Sequence, residues 1–457
     1  MINYDTTTIH LEGKAGINLI SKILTFAMSQ VSNQDEFNNE KPLYKELLGN
    51  DIIYKTLIGL FSMGYTHYSD VEQFRSNEVF KNCLDIKFTP AQETLRLYLE
   101  EENTDNFIEY CNLINIELLK KVTYSHEKIT HKYIPLDFDV TPMLNPKCNK
   151  ENCSRTYKGE DGFAPLMSYL GDFCIGAEMR PGKQHSQKDS IPFVQKVLKD
   201  ANEILSPDDY SKVLCRFDSG HDSVETVNVL HNSDVKFIIK KKLRRNDFPE
   251  DLLERAKSLY DEKISYSYKS TTVYYGYFTE MYPLGKEAVT DKAQIAFKIK
   301  ECYKDKKGKI LLKPEIEVNL YWTNLIDEAI TIVNLYKDHA TSEQFHSEIK
   351  TDLNFEKLAS GKYRVNKMLL AALTNAYNIL RVIGHFTLLN QDSFPERAIG
   401  YRDRIRMKTI LRDIIYINAR YMRKWKGMVL QLYYKNPWTE LLLRLDKTIN
   451  KYFPILI

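Results

Sequence analysis

Acidic residues at three places along the chain have the types and spacing that metal-dependent chemistry requires. Asp137 and Asp139 lie in the run YIPLDFDVT, whose other alternate positions are apolar, and Asp218 ends the short apolar run KVLCRFDSG. Glu343 lies in the polar stretch NLYKDHATSEQFHSEIK. Carboxylate oxygens are the hard ligands that Mg²⁺ prefers, and two Mg²⁺ ions can activate the attacking oxygen and stabilise the leaving oxygen of a phosphodiester. The pattern therefore predicts metal-dependent phosphodiester chemistry.

The stretch that carries Glu343 has the periodicity of a helix. Four polar residues share one face because they are spaced by i, i+4, i+7 and i+11: His339, Glu343, His346 and Lys350. Phe345 and Ile349 point to the opposite side, and Asp338 and Glu348 lie off the Glu343 face. Such a helix would present one carboxylate, although an ordinary solvated helix has the same composition.

The order of predicted elements positions two of these acids. The runs YIPLDFDVT, FAPLMSYLGD and DFCIGAEMRPG predict strands, SIPFVQKVLKDANEIL a helix, KVLCRFDSG a strand, SVETVNVLHN a helix and VKFIIK a strand. This is the order of the ribonuclease-H-like α/β fold, in which the first and fourth strands are neighbours. Asp139 and Asp218 would then converge at one edge of the sheet.

Changes of pattern along the chain suggest five regions. Residues 1–130 are mainly helical and are the candidate DNA-binding region that would recognise the element ends. Residues 131–240 form the first part of the core, and 241–325 look like an all-β insertion because Tyr, Val, Ile and Thr dominate. Residues 326–400 form the second part of the core with Glu343, and 401–457 form a basic C-terminal region that is a candidate for dimerisation.

Composition narrows the class of protein. The chain has 457 residues, 43% hydrophobic and 27% charged, with no apolar run long enough to span a bilayer and no signal-peptide pattern at its start. We therefore expect a cytoplasmic protein without membrane contact. Seven cysteines argue against a disulfide framework; Cys148 and Cys153 are loop cysteines or, less often at this spacing, half of a zinc site.

Local charge is more informative than the net charge of +3. The run KKKLRRN and the segment from residue 401 to 426 are basic enough to bind phosphates, although such runs are usually solvated faces. The candidates for DNA contact in the first run are Lys240, Lys241, Lys242, Arg244 and Arg245.

At this point the residues resemble a known family. The stretch YKDHATSEQFHSEIK resembles the Tyr-(2)-Arg-(3)-Glu-(6)-Lys signature of insertion-sequence DDE transposases of the insertion-sequence-4-like superfamily: Tyr336, Glu343 and Lys350 match, and His339 stands where the family has Arg. DFDVTP and CRFDSG resemble the two Asp motifs of that superfamily. KAGINLI and RYMRKWKGMVLQLYYKNPW resemble its 1380-type branch.

The resemblance implies specific roles. Asp139, Asp218 and Glu343 would be catalytic ligands of two Mg²⁺ ions, for which Mn²⁺ can substitute. Tyr336, His339 and Lys350 would contact phosphates of the element ends. The partners would be double-stranded DNA, both element ends and target, and a second copy of the chain in a paired-end complex. The location would be the bacterial cytoplasm, associated with the nucleoid when DNA is bound.

Several alternatives stay open on the sequence. Asp137 shares a strand face with Asp139, although Thr141, two residues after Asp139, favours Asp139 as first ligand. Trp322 is a candidate for stacking on a base, against simple packing within a sheet. His339 would either grip phosphate more weakly than Arg or mark an impaired copy. The chain could then be a repurposed DNA-binding protein, or a nuclease unconnected with transposition.

Overall fold

The structure, a computed structural model, describes residues 13–454 except 39–50, 125, 148, 268–269, 279–293, 306, 396–402, 425–426 and 433–435. Cys148, one half of the possible zinc pair, thus lies outside the described residues, and the six cysteines that are described are all free. In the described part of the chain, no helix has the length and apolar character needed to cross a membrane.

Helices and strands follow one another mostly in runs along the described chain. The strands are β1 (Gly13–Lys14), β2 (Ile134–Val140), β3 (Met143–Leu144), β4 (Ser154–Arg155), β5 (Asp161–Phe163), β6 (Leu166–Leu170), β7 (Phe173–Glu178), β8 (Val213–Phe217), β9 (Lys236–Lys241), β10 (Tyr260–Tyr266), β11 (Thr271–Phe278), β12 (Gln294–Lys304), β13 (Ile310–Thr323), β14 (Asn418–Lys424) and β15 (Gly427–Leu432). The α-helices are α1 (Gly16–Asn38), α2 (Asp51–Phe61), α3 (Glu78–Cys83), α4 (Gln92–Glu101), α5 (Thr104–Leu119), α6 (Ile191–Ile204), α7 (Pro207–Tyr210), α8 (Val224–Asn232), α9 (Pro249–Leu259), α10 (Ala329–Lys337), α11 (Ser342–Ser347), α12 (Tyr363–Leu389), α13 (Met407–Ile410) and α14 (Thr439–Tyr452).

A nine-stranded mixed sheet forms the centre of the molecule, in the order β10-β11-β12-β13-β9-β8-β2-β6-β7. β6 runs antiparallel to both β2 and β7, whereas β8 runs parallel to both β2 and β9. The predicted sequence of strands and helices between residues 133 and 241 is confirmed. The alternation of apolar and acidic residues predicted β2 correctly, because this strand places its apolar side chains in the core at every second residue.

The segment 241–325 differs from the all-β insertion that its composition predicts. It contains the helix α9, which begins at Pro249, where proline lacks only an N–H that would have no helical partner. Its four strands extend the central sheet, because β13 pairs with β9 from Leu320↔Lys241 to Thr323↔Ile238. Strand propensity identified these strands but could not show which sheet they join.

The N-terminal and C-terminal regions pack against each other and against the core. The described part of the N-terminal region is mainly helical, as predicted. β1 pairs with β14 in a three-stranded sheet, and Phe26 of α1 packs against Phe453 with ring centroids 5.3 Å apart. A Cβ on Gly16 would lie 2.4 Å from the Ile415 Cα, so the close approach of these two regions requires glycine.

Candidate active site

Asp139 and Asp218 lie side by side at the carboxyl ends of two parallel strands. The register pairs Phe138 of β2 with Phe217 of β8, and the two aspartates follow directly. The phenylalanine rings stack on the opposite face with centroids 4.4 Å apart, which fixes the strand ends relative to each other. The Asp139 and Asp218 side chains are 23% and 43% exposed, so both can reach a ligand from solvent.

Asp137 is committed to an internal ion network instead. Its two oxygens accept hydrogen bonds from Nε and Nη2 of Arg216, both at 2.6 Å, and one of them lies 2.9 Å from Nδ1 of His339. Arg216 also donates to the carbonyl oxygen of Leu335 on α10 at 2.8 Å. Burial alone would raise the pKa of Asp137, but Arg216 and His339 lower it. The geometry therefore leaves Asp139, and not Asp137, accessible.

Each accessible aspartate has a buried histidine beside it. Nδ1 of His221 lies 2.9 Å from Asp218 Oδ1, which also accepts the N–H of Gly220 at 3.0 Å. Nδ1 of His346 lies 3.5 Å from Asp139 Oδ2. Both histidines have an Nε2 atom that is buried without a hydrogen-bond partner. These rings restrict how the two carboxylates turn.

The charges on the two aspartates are not balanced equally. Burial raises the pKa of Asp139 to about 6, and the neighbouring charge of Asp218 contributes to this increase. Burial also disfavours the charged form of Asp218, but the hydrogen bond and charge of His221 outweigh it and lower its pKa. The site thus holds one carboxylate whose charged form is favoured beside one whose charged form is disfavoured.

Glu343 lies on the short helix α11 and is exposed. A 3-10 turn, Asp338–Thr341, precedes this helix, and a π-helical turn, Glu348–Asp352, follows it. Partial burial and the charges of Asp139, Asp218 and Glu343 raise the pKa of Tyr157, so its hydroxyl lies within electrostatic range of all three acids. Across the described ranges, however, no three His, Cys, Asp or Glu side chains are close enough together to hold one metal ion.

Glu348, which lies off the Glu343 face, and Asp352 beyond it are both engaged in internal ion pairs. Glu348 is buried and accepts from Nη1 of Arg404 at 2.9 Å and from the N–H of Met407. Asp352 accepts from Nε of Arg406 at 2.8 Å. These arginines belong to the basic C-terminal region, where single-sequence reasoning expected phosphate contacts and could not see internal pairing.

The three residues of the family signature besides Glu343 differ in accessibility. The Tyr336 ring is half-buried, packs against Tyr321 at 4.8 Å, and has its pKa raised by burial and by the nearby aspartates. Lys350 is half-buried, and its ammonium lies 3.4 Å from the Pro142 carbonyl oxygen just beyond β2. His339 is only 6% exposed and binds Asp137, so it has an internal role here and does not present a phosphate-binding surface.

Trp322 and the basic run are connected through Asp222. Trp322 is 1% exposed and its indole N–H donates to Asp222 Oδ1 at 3.2 Å, so the stacking hypothesis is not supported and packing within the sheet is its role. The other oxygen of Asp222 accepts from the Lys242 N–H and from Arg244. Because Asp222 follows the turn that contains Asp218, the basic run is attached to the site.

Within the basic run, exposure separates two groups. Lys240 is half-buried in β9, and Lys241 is paired with Asp247 at 2.9 Å with its side chain 8% exposed. Lys242, Arg244 and Arg245 are exposed beyond the strand end.

The donor chemistry of the site fits a divalent metal ion. Oxygen ligands from Asp139 and Asp218 are available at one sheet edge, and a cation would neutralise the charge that raises the pKa of Asp139. Glu343 must approach this pair to complete a three-carboxylate site.

Residues 38–453 match a family of transposases that carry a DDE domain, so the chain is a transposase, an enzyme that cleaves DNA. The family is described as transposase DDE domain group 1, and the chain belongs to it. Enzymes of this kind generally use divalent metal ions. No curated protein matches the chain. Among solved structures, it is similar to the cryo-EM structure of a piggyBac transposase synaptic complex with hairpin DNA, at 11% identity and a TM-score of 0.39, over 96% of this chain and 83% of that one.

Proposed function

We propose that this protein is the transposase of an insertion sequence, that it binds the terminal inverted repeats of its own element, and that it cuts and joins DNA with Asp139, Asp218 and Glu343 as metal ligands. The single observation that carries the proposal is the position of Asp139 and Asp218 side by side at the carboxyl ends of adjacent parallel strands. The order and directions of β7, β6, β2, β8 and β9 support a ribonuclease-H-like core.

The residues of the site divide the work of the reaction. When bound, two Mg²⁺ ions, or Mn²⁺ in their place, supply the polarisation of the attacking and leaving oxygens. Asp139 and Asp218 would bind the ions from the rigid ends of β2 and β8. His221 and His346 limit the rotation of these two carboxylates. Lys350 places a positive charge near the end of β2, where the phosphate must lie. Water attacks first, and the freed 3′-hydroxyl then attacks target DNA.

The first prediction tests the metal ligand on α11. Replacing Glu343 by Gln keeps the size and hydrogen bonding of the side chain but removes its charge. We expect binding to the element ends to persist and cleavage in Mg²⁺ to fall by about 10²-fold or more, because several kcal/mol of transition-state stabilisation depend on the metal. Single-turnover cleavage of a labelled end duplex measures this.

A matched control is available in the same segment. Asp338 lies off the Glu343 face, at the start of the preceding 3-10 turn, so Asp338→Asn should leave cleavage unchanged. Equal cleavage by wild type and Glu343→Gln would remove Glu343 from the site. If neither cuts while both bind the ends, the repurposed DNA-binding alternative is the better account; cleavage without preference for those ends would favour an unrelated nuclease.

A second prediction concerns the exposed basic residues beyond β9. Replacing Lys242 and Arg245 together by Ala should weaken binding to DNA of any sequence and lower the slope of log affinity against log salt by about 2, one per lost phosphate contact. Fluorescence anisotropy at several salt concentrations measures the slope. Lys263→Ala, on the edge strand β10, is a matched control because it removes one exposed charge far along the sheet. An unchanged slope in the double variant would show that this run does not contact DNA.

A third consequence of the proposal is assembly. A transposase that joins two element ends requires two protomers, so we propose a homodimer in the paired-end complex, with residues 401–457 as the region for contact. The runs KAGINLI and RYMRKWKGMVLQLYYKNPW support assigning the chain to the 1380-type branch of the insertion-sequence-4-like superfamily. The protein would then act in the bacterial cytoplasm, at the nucleoid when DNA is bound.

A further inference from the structure

A small β-hairpin follows β2, the strand that carries Asp139. β4 and β5 pair in antiparallel fashion, and residues 156–160 form the tip that joins them. β5 also pairs with β3, which starts three residues after the end of β2. The hairpin is therefore attached to the strand that carries Asp139.

The tip has a fixed conformation. The Thr156 N–H and hydroxyl both donate to the Glu160 carbonyl oxygen at 2.8 Å, and the Gly159 N–H donates to the Thr156 carbonyl at 2.9 Å. Gly159 has φ +81°, which glycine adopts without strain. At the base, a Cβ on Gly162 would lie 2.2 Å from the Met143 carbonyl oxygen, so the hairpin packs tightly against β3. The backbone from which the side chains of this tip project is therefore fixed.

Two residues of the tip interact electrostatically with the candidate active site. Tyr157 is 71% exposed, yet its hydroxyl is in electrostatic range of Asp139, Asp218 and Glu343. The charge of Lys158 acts on Lys350, whose ammonium lies just beyond β2. An exposed aromatic ring and two ammonium groups thus border the acids. A nucleotide offers complementary chemistry to this combination, a base with a π-face joined to a phosphate.

Other aromatic side chains near the site are less available. Trp322 is buried against Asp222, and the Tyr336 ring packs on Tyr321 and His339. A solvated surface tyrosine is the ordinary alternative for Tyr157. The rigid tip, the adjoining lysine and the three acids within range favour a contact with substrate instead.

We propose that Tyr157 is a further DNA-contacting residue, whose ring stacks on a base next to the cleaved bond while Lys158 and Lys350 bind the phosphate of the same strand. This inference rests on the proposed function, because it presupposes that the scissile phosphate lies at the three acids. It explains why an aromatic residue stays exposed at the end of a fixed hairpin.

Single-turnover cleavage of an element-end duplex tests the stacking. We expect Tyr157→Ala to cut about 10- to 100-fold more slowly than wild type, as for loss of one base–aromatic stack, and Tyr157→Phe to cut at nearly the wild-type rate. Two further duplexes each carry an abasic nucleotide on one side of the cleaved bond. On one of them, wild type and Tyr157→Ala should cut at equal rates, because the base that the ring contacts is gone.

Each outcome separates this inference from the proposed function. Tyr266→Ala, an exposed tyrosine on β10, is the matched control and should cut as wild type. If wild type cuts and Tyr157→Ala cuts equally well, the inference is wrong and the proposed function stands. A Tyr157→Ala deficit of the same size on both abasic duplexes, or an equal deficit in Tyr157→Phe, also overturns stacking. If wild type itself does not cut, the proposed function has failed first.

Discussion

Asparagine in place of Asp139 is expected to abolish DNA cleavage and, at the same time, to stabilise the fold. Cleavage should fall by about 10³-fold or more, because a neutral amide is a poor metal ligand and the metal supplies several kcal/mol of transition-state stabilisation. Stability should rise because burial and Asp218 raise the pKa of Asp139 from 3.8 to about 6. At neutral pH the ionised group therefore costs on the order of 3 kcal/mol, an upper limit for the gain in the variant.

The pH dependence of this gain has a definite sign. The stabilisation that comes from the raised pKa is fully present below 3.8 and is lost as the pH rises through about 6. The variant does not ionise at this position, so its advantage in urea unfolding should be largest at pH 7 and should shrink towards pH 5. Wild type should also gain thermal stability from added Mg²⁺, since a bound ion stabilises the folded state, whereas the variant should gain less.

Asp208→Asn is the control for this experiment, because Asp208 is an exposed acid on α7 with a side chain 86% exposed. It should change neither cleavage nor stability by a measurable amount. An Asp139→Asn protein that is less stable than wild type at pH 7 would show that the carboxylate is well compensated in the free protein. Retained cleavage would transfer the role of first ligand to another acid.

Arginine 216 should be among the most sensitive positions for folding. Replacing Arg216 by Leu leaves Asp137 buried with only His339 as a partner, and it also removes a donor from the Leu335 carbonyl. Loss of one partner from a buried ion pair costs about 3–5 kcal/mol, because the remaining charge stays out of water. Urea unfolding should show this loss, and Arg216→Lys should lose less, since lysine keeps the charge but not the two-pronged geometry.

A double variant separates the network from simple packing. Adding Asp137→Asn to Arg216→Leu removes the stranded charge, so part of the lost stability should return. If the double variant is as unstable as the sum of the two single variants, the residues act independently and the ion network is not the cause. Arg180→Leu is a comparison for loss of a buried arginine without a stranded buried charge, because Arg180 is equally buried but pairs with the more exposed Glu178 and donates to the carbonyl oxygens of Ser186, Lys188 and Asp189.

Local periodicity predicted the elements around Asp139 and Asp218 because burial alternates along β2 and their strands are short and apolar. The alternation of side chains between the two faces of a strand could not distinguish Asp137 from Asp139 as the first ligand, since both lie on one face of β2. The difference comes from Arg216, which is opposite Asp137 in the register and neutralises it. Such a pairing depends on strand alignment, which a single sequence does not contain.

The misplaced expectations have a common physical cause. Trp322 was a candidate for base stacking because of its residue type, and His339 was a candidate for phosphate contact because the family resemblance implied it, but both are buried. Basic residues of the C-terminal region were expected to bind phosphate, yet Arg404 and Arg406 neutralise Glu348 and Asp352. The composition of a segment shows how many charges it carries, but it does not show which residues those charges pair with. Tyr157 was missed for the converse reason, since an exposed tyrosine in a turn has no distinctive local signal.

The uneven winding of residues 338–352 has a mechanical consequence. A π-helical turn contains one residue more than an α-helical turn, and one residue of an α-helix corresponds to about 100° of rotation. If the extra residue moved from the Glu348–Asp352 turn to a turn that precedes Glu343, the Glu343 side chain would rotate about the helix axis. The segment would stay helical during this change. Arg404 and Arg406 form ion pairs with Glu348 and Asp352 of that same turn. The C-terminal region is therefore attached directly to the segment that carries Glu343, and a change in its position would act on the winding of that segment.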